Sequence, residues 1–202
     1  MVDYLEQNGL LSCNQHGFRK GRNCLSELLS HFEDLYENLG NSLDSDTIYL
    51  DFSKAFDKVD HALLIKKLKL YGIGGKLLQW ITSFLSGRVQ KVVVAGSVSE
   101  VIEVLSGVPQ GTVLGPLLFI LFINDMERCV NHSQLKLFAD DSRLIKAVNP
   151  NSPESDAALL QSDLDAVLKW ASSNNMKLNE DKFKLLIHRV HNHAPNVNMR
   201  LL

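Results

Sequence analysis

Three aspartates are the residues of this 202-residue chain whose type and placement suggest chemistry. Asp51 follows Thr47-Ile48-Tyr49-Leu50 and precedes Phe52, a β-branched and aromatic run that reads as a buried strand. An ionised carboxylate there is costly unless a cation or hydrogen-bond donors pair with it. Asp140 and Asp141 stand side by side between two apolar runs, at the expected tip of a β-hairpin. Adjacent like charges raise each other's pKa unless something positive binds. Such oxygens suit magnesium, which takes one or two carboxylates per ion and completes its octahedron with water and phosphate oxygens. Two ions about 4 Å apart can serve an in-line phosphoryl displacement. Each feature alone also has a plainer reading. An Asp-Asp turn is commonly a solvated hairpin corner, and Asp51 by itself serves equally as a helix cap or an ion-pair partner.

The elements that must hold these acids are legible in the patterning. After Asn23, the residues Leu25, Leu28, Leu29, Phe32, Leu35, Tyr36 and Leu39 recur at helical steps, with Gly40 as terminator. Asp60 caps an expected helix over His61 to Tyr71, closed by Gly72, and a second helix runs from about Lys76 to Ser86. Strand-like runs at Val89 to Ala95 and Val101 to Leu105 flank a Gly96-Ser97 turn, and Pro116 suits the first turn of the next helix. Leu135 to Ala139 and Leu144 to Val148 form the hairpin around Asp140-Asp141-Ser142. Ser152 and Pro153 open a helix carrying Leu159, Leu160, Leu164, Val167, Leu168 and Ala171, and nothing periodic follows Pro195. Helices and strands without strict βαβ alternation predict an α+β fold on an antiparallel sheet.

Composition narrows the class. The chain is 45% hydrophobic and 22% charged, as a globular domain is, and its formal net charge of -2 gives no global basic field, so any nucleic-acid contact must rest on local patches. Three cysteines without a CxxC argue against a disulfide framework or a cysteine-rich zinc site. The N-terminus lacks a basic region followed by an apolar core, and the apolar run Leu117 to Ile123 is far short of a membrane span, so an intracellular protein with no membrane association is expected. Lys66, Lys67 and Lys69 read as the wet face of a helix, Trp80 and Trp170 as core. His188, His191 and His193 have loose metal-ligand spacing.

Taken in order, several strings resemble the reverse transcriptases of non-LTR (LINE-type) retrotransposons, in particular the jockey-like and chicken-repeat-like groups. They are Gln15-His16-Gly17-Phe18-Arg19-Lys20-Gly21-Arg22, then Tyr49 to His61 (YLDFSKAFDKVDH), Gly107 to Pro116 (GVPQGTVLGP), Phe138-Ala139-Asp140-Asp141, and Met176-Lys177-Leu178-Asn179 with Lys182. The resemblance implies a right-hand polymerase palm with part of the fingers and no thumb. It divides the chain into partial fingers (1–46), palm (47–60), fingers-side helices and hairpin (61–106), palm again (107–187) and a tail (188–202).

It further implies an RNA-directed DNA polymerase working on an RNA template, a DNA primer and a dNTP with two magnesium ions, manganese substituting. Asp51 and Asp140 would hold the metals, with Asp141 in support and the Phe52 carbonyl as an extra ligand. Phe56 matches the aromatic gate that excludes a ribose 2′-OH, although by itself it reads as core packing. Gln110 and Gly111 would lie against nucleotide and template, where a bare reading sees a solvated turn. Among Arg19, Lys20 and Arg22, Arg19 is the first choice to grip the triphosphate. Lys182 would protonate the leaving pyrophosphate. Two alternatives stand beside this reading: a truncated, catalytically inactive retrotransposon remnant with weak nucleic-acid or nucleotide binding, and, more distantly, another two-metal enzyme such as a nucleotide cyclase.

Overall fold

A computed structural model describes residues 1–190. In chain order the elements are α1 (Val2–Gln7), α2 (Cys24–Gly40), β1 (Asp44–Leu50), α3 (His61–Leu70), α4 (Gly75–Leu85), β2 (Val89–Gln90), β3 (Val93–Val94), β4 (Ser97–Val98), β5 (Ile102–Glu103), α5 (Leu114–Ile123), β6 (Gln134–Phe138), β7 (Asp141–Val148), α6 (Pro153–Ser173) and β8 (Lys184–His188). Short 3₁₀ turns cover Ala55–Lys58, Met126–Cys129 and Glu180–Lys182. Caps explain where the helices begin. Asn23 and Ser26 exchange backbone and side-chain hydrogen bonds of 2.9 Å in a reciprocal capping box, and the Asp60 carboxylate accepts from Leu63 N at 2.9 Å.

The main sheet is antiparallel with strand order β6-β7-β1-β8. Register assigns its faces. Leu135, Leu144, Ile48 and Leu185 form one cross-strand row, and Lys136, Arg143, Tyr49 and Lys184 form the next, which the pleat turns to the opposite side. The apolar face joins a single core with Leu118, Phe119, Leu121 and Phe122 of α5 and Leu160, Leu164 and Val167 of α6. The other face takes α2 through ion pairs, Glu27 with Arg143 and Asp34 with Lys136. Helices therefore pack on both faces of the sheet.

Several expectations shift. The Asp140-Asp141 hairpin turns on Ala139-Asp140, because Phe138 pairs with Asp141, so Asp141 belongs to the strand. The second hairpin turns on Ala95-Gly96, not Gly96-Ser97; both turn residues have positive φ (48° and 84°), as a two-residue hairpin turn favours. Lys67 is buried rather than wet, its ammonium donating to the Phe122 carbonyl (2.7 Å) and to Asp125 (2.6 Å), while Trp80 is 57% exposed and stacks on Phe84. Trp170 does pack inside and donates to Asp125 at 3.1 Å. The apolar stripe of α2 buries only Leu35, and Leu25, Leu29 and Tyr36 stand exposed. β8 is a sheet strand where no element was expected; His188 pairs with Ser45 there, whereas His191, His193 and the rest of the tail lie outside the described residues. Among the described residues no helix is long and apolar enough to cross a membrane.

Candidate active site

β1 and β7 are neighbours, so the three acids arrive at one end of the sheet. Leu50 faces Ser142 in the register, and one step further Asp51 comes opposite Asp141, on the face that carries Tyr49 and Arg143. Asp51 is then fixed from its other edge. Its carbonyl accepts from Asn179 N and Ser53 N donates to the Lys177 carbonyl, both at 2.8 Å. This short pairing of 51–53 with 177–179 turns the intervening Phe52 carbonyl toward the opposite edge, where the hairpin tip lies. Lys182 follows directly and reaches Asp51 Oδ2 at 3.0 Å from a side chain that is 61% exposed. A cleft of about 560 Å³ opens on this face between the start of α2 and the sheet, bordered by Asp51, Asp141, Arg143, Lys182 and Lys184.

The electrostatics are those of crowded acids. Burial pushes the Asp141 carboxyl above its usual range, and the charges of Asp140 and Asp51 push the same way against Lys182. Asp141 thus lies near enough to both Asp140 and Asp51 to feel their charges. Among the described residues, however, no three carboxylate, imidazole or thiolate groups close a metal site unaided. Asp51 is turned to Lys182, and the arrangement is open on the cleft side.

The turn itself is held by the segment 14–17, which runs parallel beside β6. Leu137 N donates to the Asn14 carbonyl (3.0 Å) and His16 N to the Leu137 carbonyl (2.9 Å). The buried Gln15 amide oxygen accepts from Gly17 N at 2.7 Å and from Ala139 N at 2.9 Å. Gly17 lies so close to the turn that a Cβ there would sit 2.3 Å from Ala139 N. In sequence Gln15 and Gly17 are only parts of a resembling string; their partner Ala139 is too distant along the chain for any local signal to pair them.

The residues expected to meet a nucleotide fall in a second group. Phe56 stacks on Phe119 of α5 with centroids 4.2 Å apart, and the exposed Phe18 meets it edge-on at 6.1 Å. The 107–110 segment is stitched alongside: Val108 N donates to the Phe56 carbonyl (2.9 Å), Gly107 N to the Val59 carbonyl (2.8 Å), and Gln110 Nε2 to Asp57 (2.9 Å). Gly107 must lack a side chain, since a Cβ would sit 2.8 Å from the Asp57 backbone. Gly111 has open space around it but a φ of 74°, which favours glycine.

Arg19, expected at the triphosphate, makes its contacts within the protein. Its side chain is 9% exposed, and its guanidinium grips both oxygens of Glu6 (3.0 and 2.5 Å) and the Ser12 carbonyl (2.5 Å), because burial next to α1 demands a partner for the charge. Burial also holds the Arg22 guanidinium below its usual pKa; it donates to the carbonyls of Cys13 and Gln15. Lys20 alone of the three is exposed, and it makes no ion pair among the described residues.

Comparison with known proteins agrees with this architecture. The family model "Reverse transcriptase (RNA-dependent DNA polymerase)" matches residues 1–198. The chain is 30% identical over 187 residues to the probable RNA-directed DNA polymerase from transposon X-element of Drosophila melanogaster, covering 90% of this chain and 20% of that protein. It is 32% identical over 175 residues to the RNA-directed DNA polymerase from mobile element jockey of Drosophila funebris, covering 83% and 19%. The chain thus spans about a fifth of the length of these relatives. Among solved structures, telomerase from Candida albicans, in complex with a fragment of telomeric RNA, superposes with a TM-score of 0.67 at 14% identity, covering 98% of this chain and 36% of that one. That likeness identifies the fold as an α+β polymerase palm. With the family model spanning nearly the whole chain, this protein belongs to the reverse transcriptase (RNA-dependent DNA polymerase) family.

Proposed function

We propose that this chain is the palm, with part of the fingers, of an RNA-directed DNA polymerase that joins a dNTP to a DNA primer 3′-OH on an RNA template. The observation that carries this is the arrival of Asp51 and the Asp140-Asp141 pair at one end of the sheet, with Lys182 on Asp51. The donor chemistry suits magnesium: hard carboxylate oxygens, with Asp51 and Asp141 bordering a cleft open to the oxygens of a substrate phosphate. Asp51, Asp140 and the Phe52 carbonyl would hold two ions, with Asp141 in support and manganese as substitute. The ions, when bound, would polarise the nucleotide phosphates and favour the ionised primer hydroxyl.

The chain's own groups do the rest. The exposed Lys182 ammonium is a proton donor for departing pyrophosphate. Phe56, locked between Phe119 and Phe18, presents a ring edge that excludes a ribose 2′-OH. Gln110, tethered by Asp57, and Gly111 border the nucleotide and template. Arg19 braces the segment through Glu6, which leaves the exposed Lys20 to meet the triphosphate. Primer extension on an RNA template with magnesium tests this. Asp140→Ala and Asp51→Ala should each lower incorporation on the order of 10³-fold, the scale for losing a group that stabilises developing charge. Equal incorporation by wild type and Asp140→Ala removes the mechanism.

A second reading, a folded remnant that is catalytically silent, is favoured by the commitment of the Arg19 guanidinium to Glu6 and Ser12. It predicts background incorporation by wild type and variants alike.

A further inference from the structure

We infer that Gln15 is a positioning residue for the catalytic turn, its amide oxygen holding the Ala139 N–H and so fixing where Asp140 and Asp141 are presented; the functional part of this rests on the polymerase reading above. The side chain is 1% exposed, with Oε1 2.7 Å from Gly17 N and 2.9 Å from Ala139 N. Two N–H groups converge on that atom, which settles the orientation of the amide: the oxygen, not the nitrogen, faces them. Nε2 is buried without a hydrogen-bond partner among the described residues. An orphaned buried donor is destabilising, so a glutamine here is explained by its acceptor end, not by generic polarity.

The turn needs such a hold. Ala139 has a φ of 54°, a region that disfavours any residue with a Cβ, and no glycine stands in the turn to accommodate it. Register alone specifies the hairpin only as far as the Phe138–Asp141 pair. The two acids lie on and beside the turn, so a peptide rotation at Ala139 would swing Asp140 relative to Asp51. The clamp acts at that peptide. It is itself anchored, because His16 Nδ1 lies 3.0 Å from Ser26 Oγ in the first turn of α2, and Arg22 donates to the Gln15 carbonyl at 3.2 Å. The start of α2 thereby helps set the position of the turn between β6 and β7.

The test is amide hydrogen exchange on the whole chain. Gln15→Met keeps the volume and removes the acceptor; Gln15→Glu keeps an acceptor oxygen in the same place. Exchange at Ala139 should quicken about tenfold in the Met variant and stay near wild type in the Glu variant, with Ile48 and Leu144 unchanged in both. Equal exchange at Ala139 in wild type and the Met variant overturns the clamp. Should the Met variant not fold, rapid exchange at Ala139 in wild type overturns it equally, and protection there upholds it.

Primer extension then reads the consequence. Gln15→Met should lower kcat roughly ten- to a hundredfold, the scale for displacing a reacting group by about 1 Å, with KM for the dNTP within about twofold. A freed Ala139 with unchanged kcat confines Gln15 to supporting the fold and overturns its positioning role. Absence of incorporation by wild type defeats the polymerase reading instead, and the exchange result still decides the clamp.

Discussion

The molecule contains two hairpins that each reverse on two residues beginning with an alanine, and they are held in opposite ways. The Val89–Glu103 hairpin reverses on Ala95-Gly96 and the Gln134–Val148 hairpin on Ala139-Asp140, each with an alanine at positive φ (48° and 54°). In the first, glycine takes the second turn position and the strands stand in solvent, with Val94 66% exposed. In the second, Leu137 and Leu144 are fully buried, Gln15 and Gly17 close on the turn, and the buried Asp163 of α6 accepts from the backbone N–H groups of Asn131, His132 and Ser133 just before β6. A turn can thus be specified by its own residues or imposed by its surroundings. The imposed one is the one that carries acids, because a carboxylate pair whose charges repel will not organise itself.

The contrast is open to measurement, beginning where the effect is largest. Leu144→Ala should cost about 2–5 kcal/mol of stability in denaturant unfolding, while Val94→Ala should stay within about 0.5 kcal/mol. Similar values for both would mean that the hairpin carrying Asp140 and Asp141 is no better packed than the free one. Gly17→Ala, which drives a Cβ into the Ala139 backbone, should cost roughly 1–3 kcal/mol, and Gly96→Ala, strained only by its φ of 84°, about 1 kcal/mol.

Acid sharpens the contrast next. Burial opposes ionisation of Asp163, but the Ser133 hydroxyl and the three backbone N–H groups outweigh it and hold its pKa below the usual carboxylate range. A depressed native pKa means that this carboxylate contributes stability at pH values above its unfolded pKa of about 3.9 and loses it as pH falls through the lower native value. Asp163→Asn should therefore flatten the acid limb of the pH–stability curve, and an unchanged limb would show that the carboxylate is not what secures the entry to β6. The smallest effect is expected from relieving the turn: Ala139→Gly should stabilise by about 0.5–1 kcal/mol in thermal or denaturant unfolding, and a loss there would show that the surrounding clamp, not the residue, sets the cost.

Local patterns marked most of the helices because their signals are local. Asn23 and Asp60 cap as their types suggest, α3 and α4 fall within a residue of the expected spans, and α6 opens at Pro153 as expected. Features that depend on a partner across the chain were misplaced. Lys67 was taken for a solvated lysine because its helical spacing with Lys66 and Lys69 says nothing of Asp125 and Phe122, and β8 was missed because only pairing with β1 makes a strand of it. The ion-pair partner of Arg19, Glu6, lies on α1, a helix that sequence patterning does not reveal.

For the site, the sequence by itself determined which groups are present: Asp51 at a strand end, the Asp140-Asp141 pair at a hairpin, Phe56, Gln110 and Lys182, in an order that resembles reverse transcriptases. Only the tertiary structure decided which of them meet. Asp51 comes opposite Asp141 because β1 pairs with β7, Lys182 reaches Asp51 because residues 177–179 pair with 51–53, and the turn is held by Gln15. The physical reason is range: caps, turns and periodicity act over a few residues, whereas the position of a charge relative to another is set by strand pairing and packing between segments that the chain itself keeps far apart.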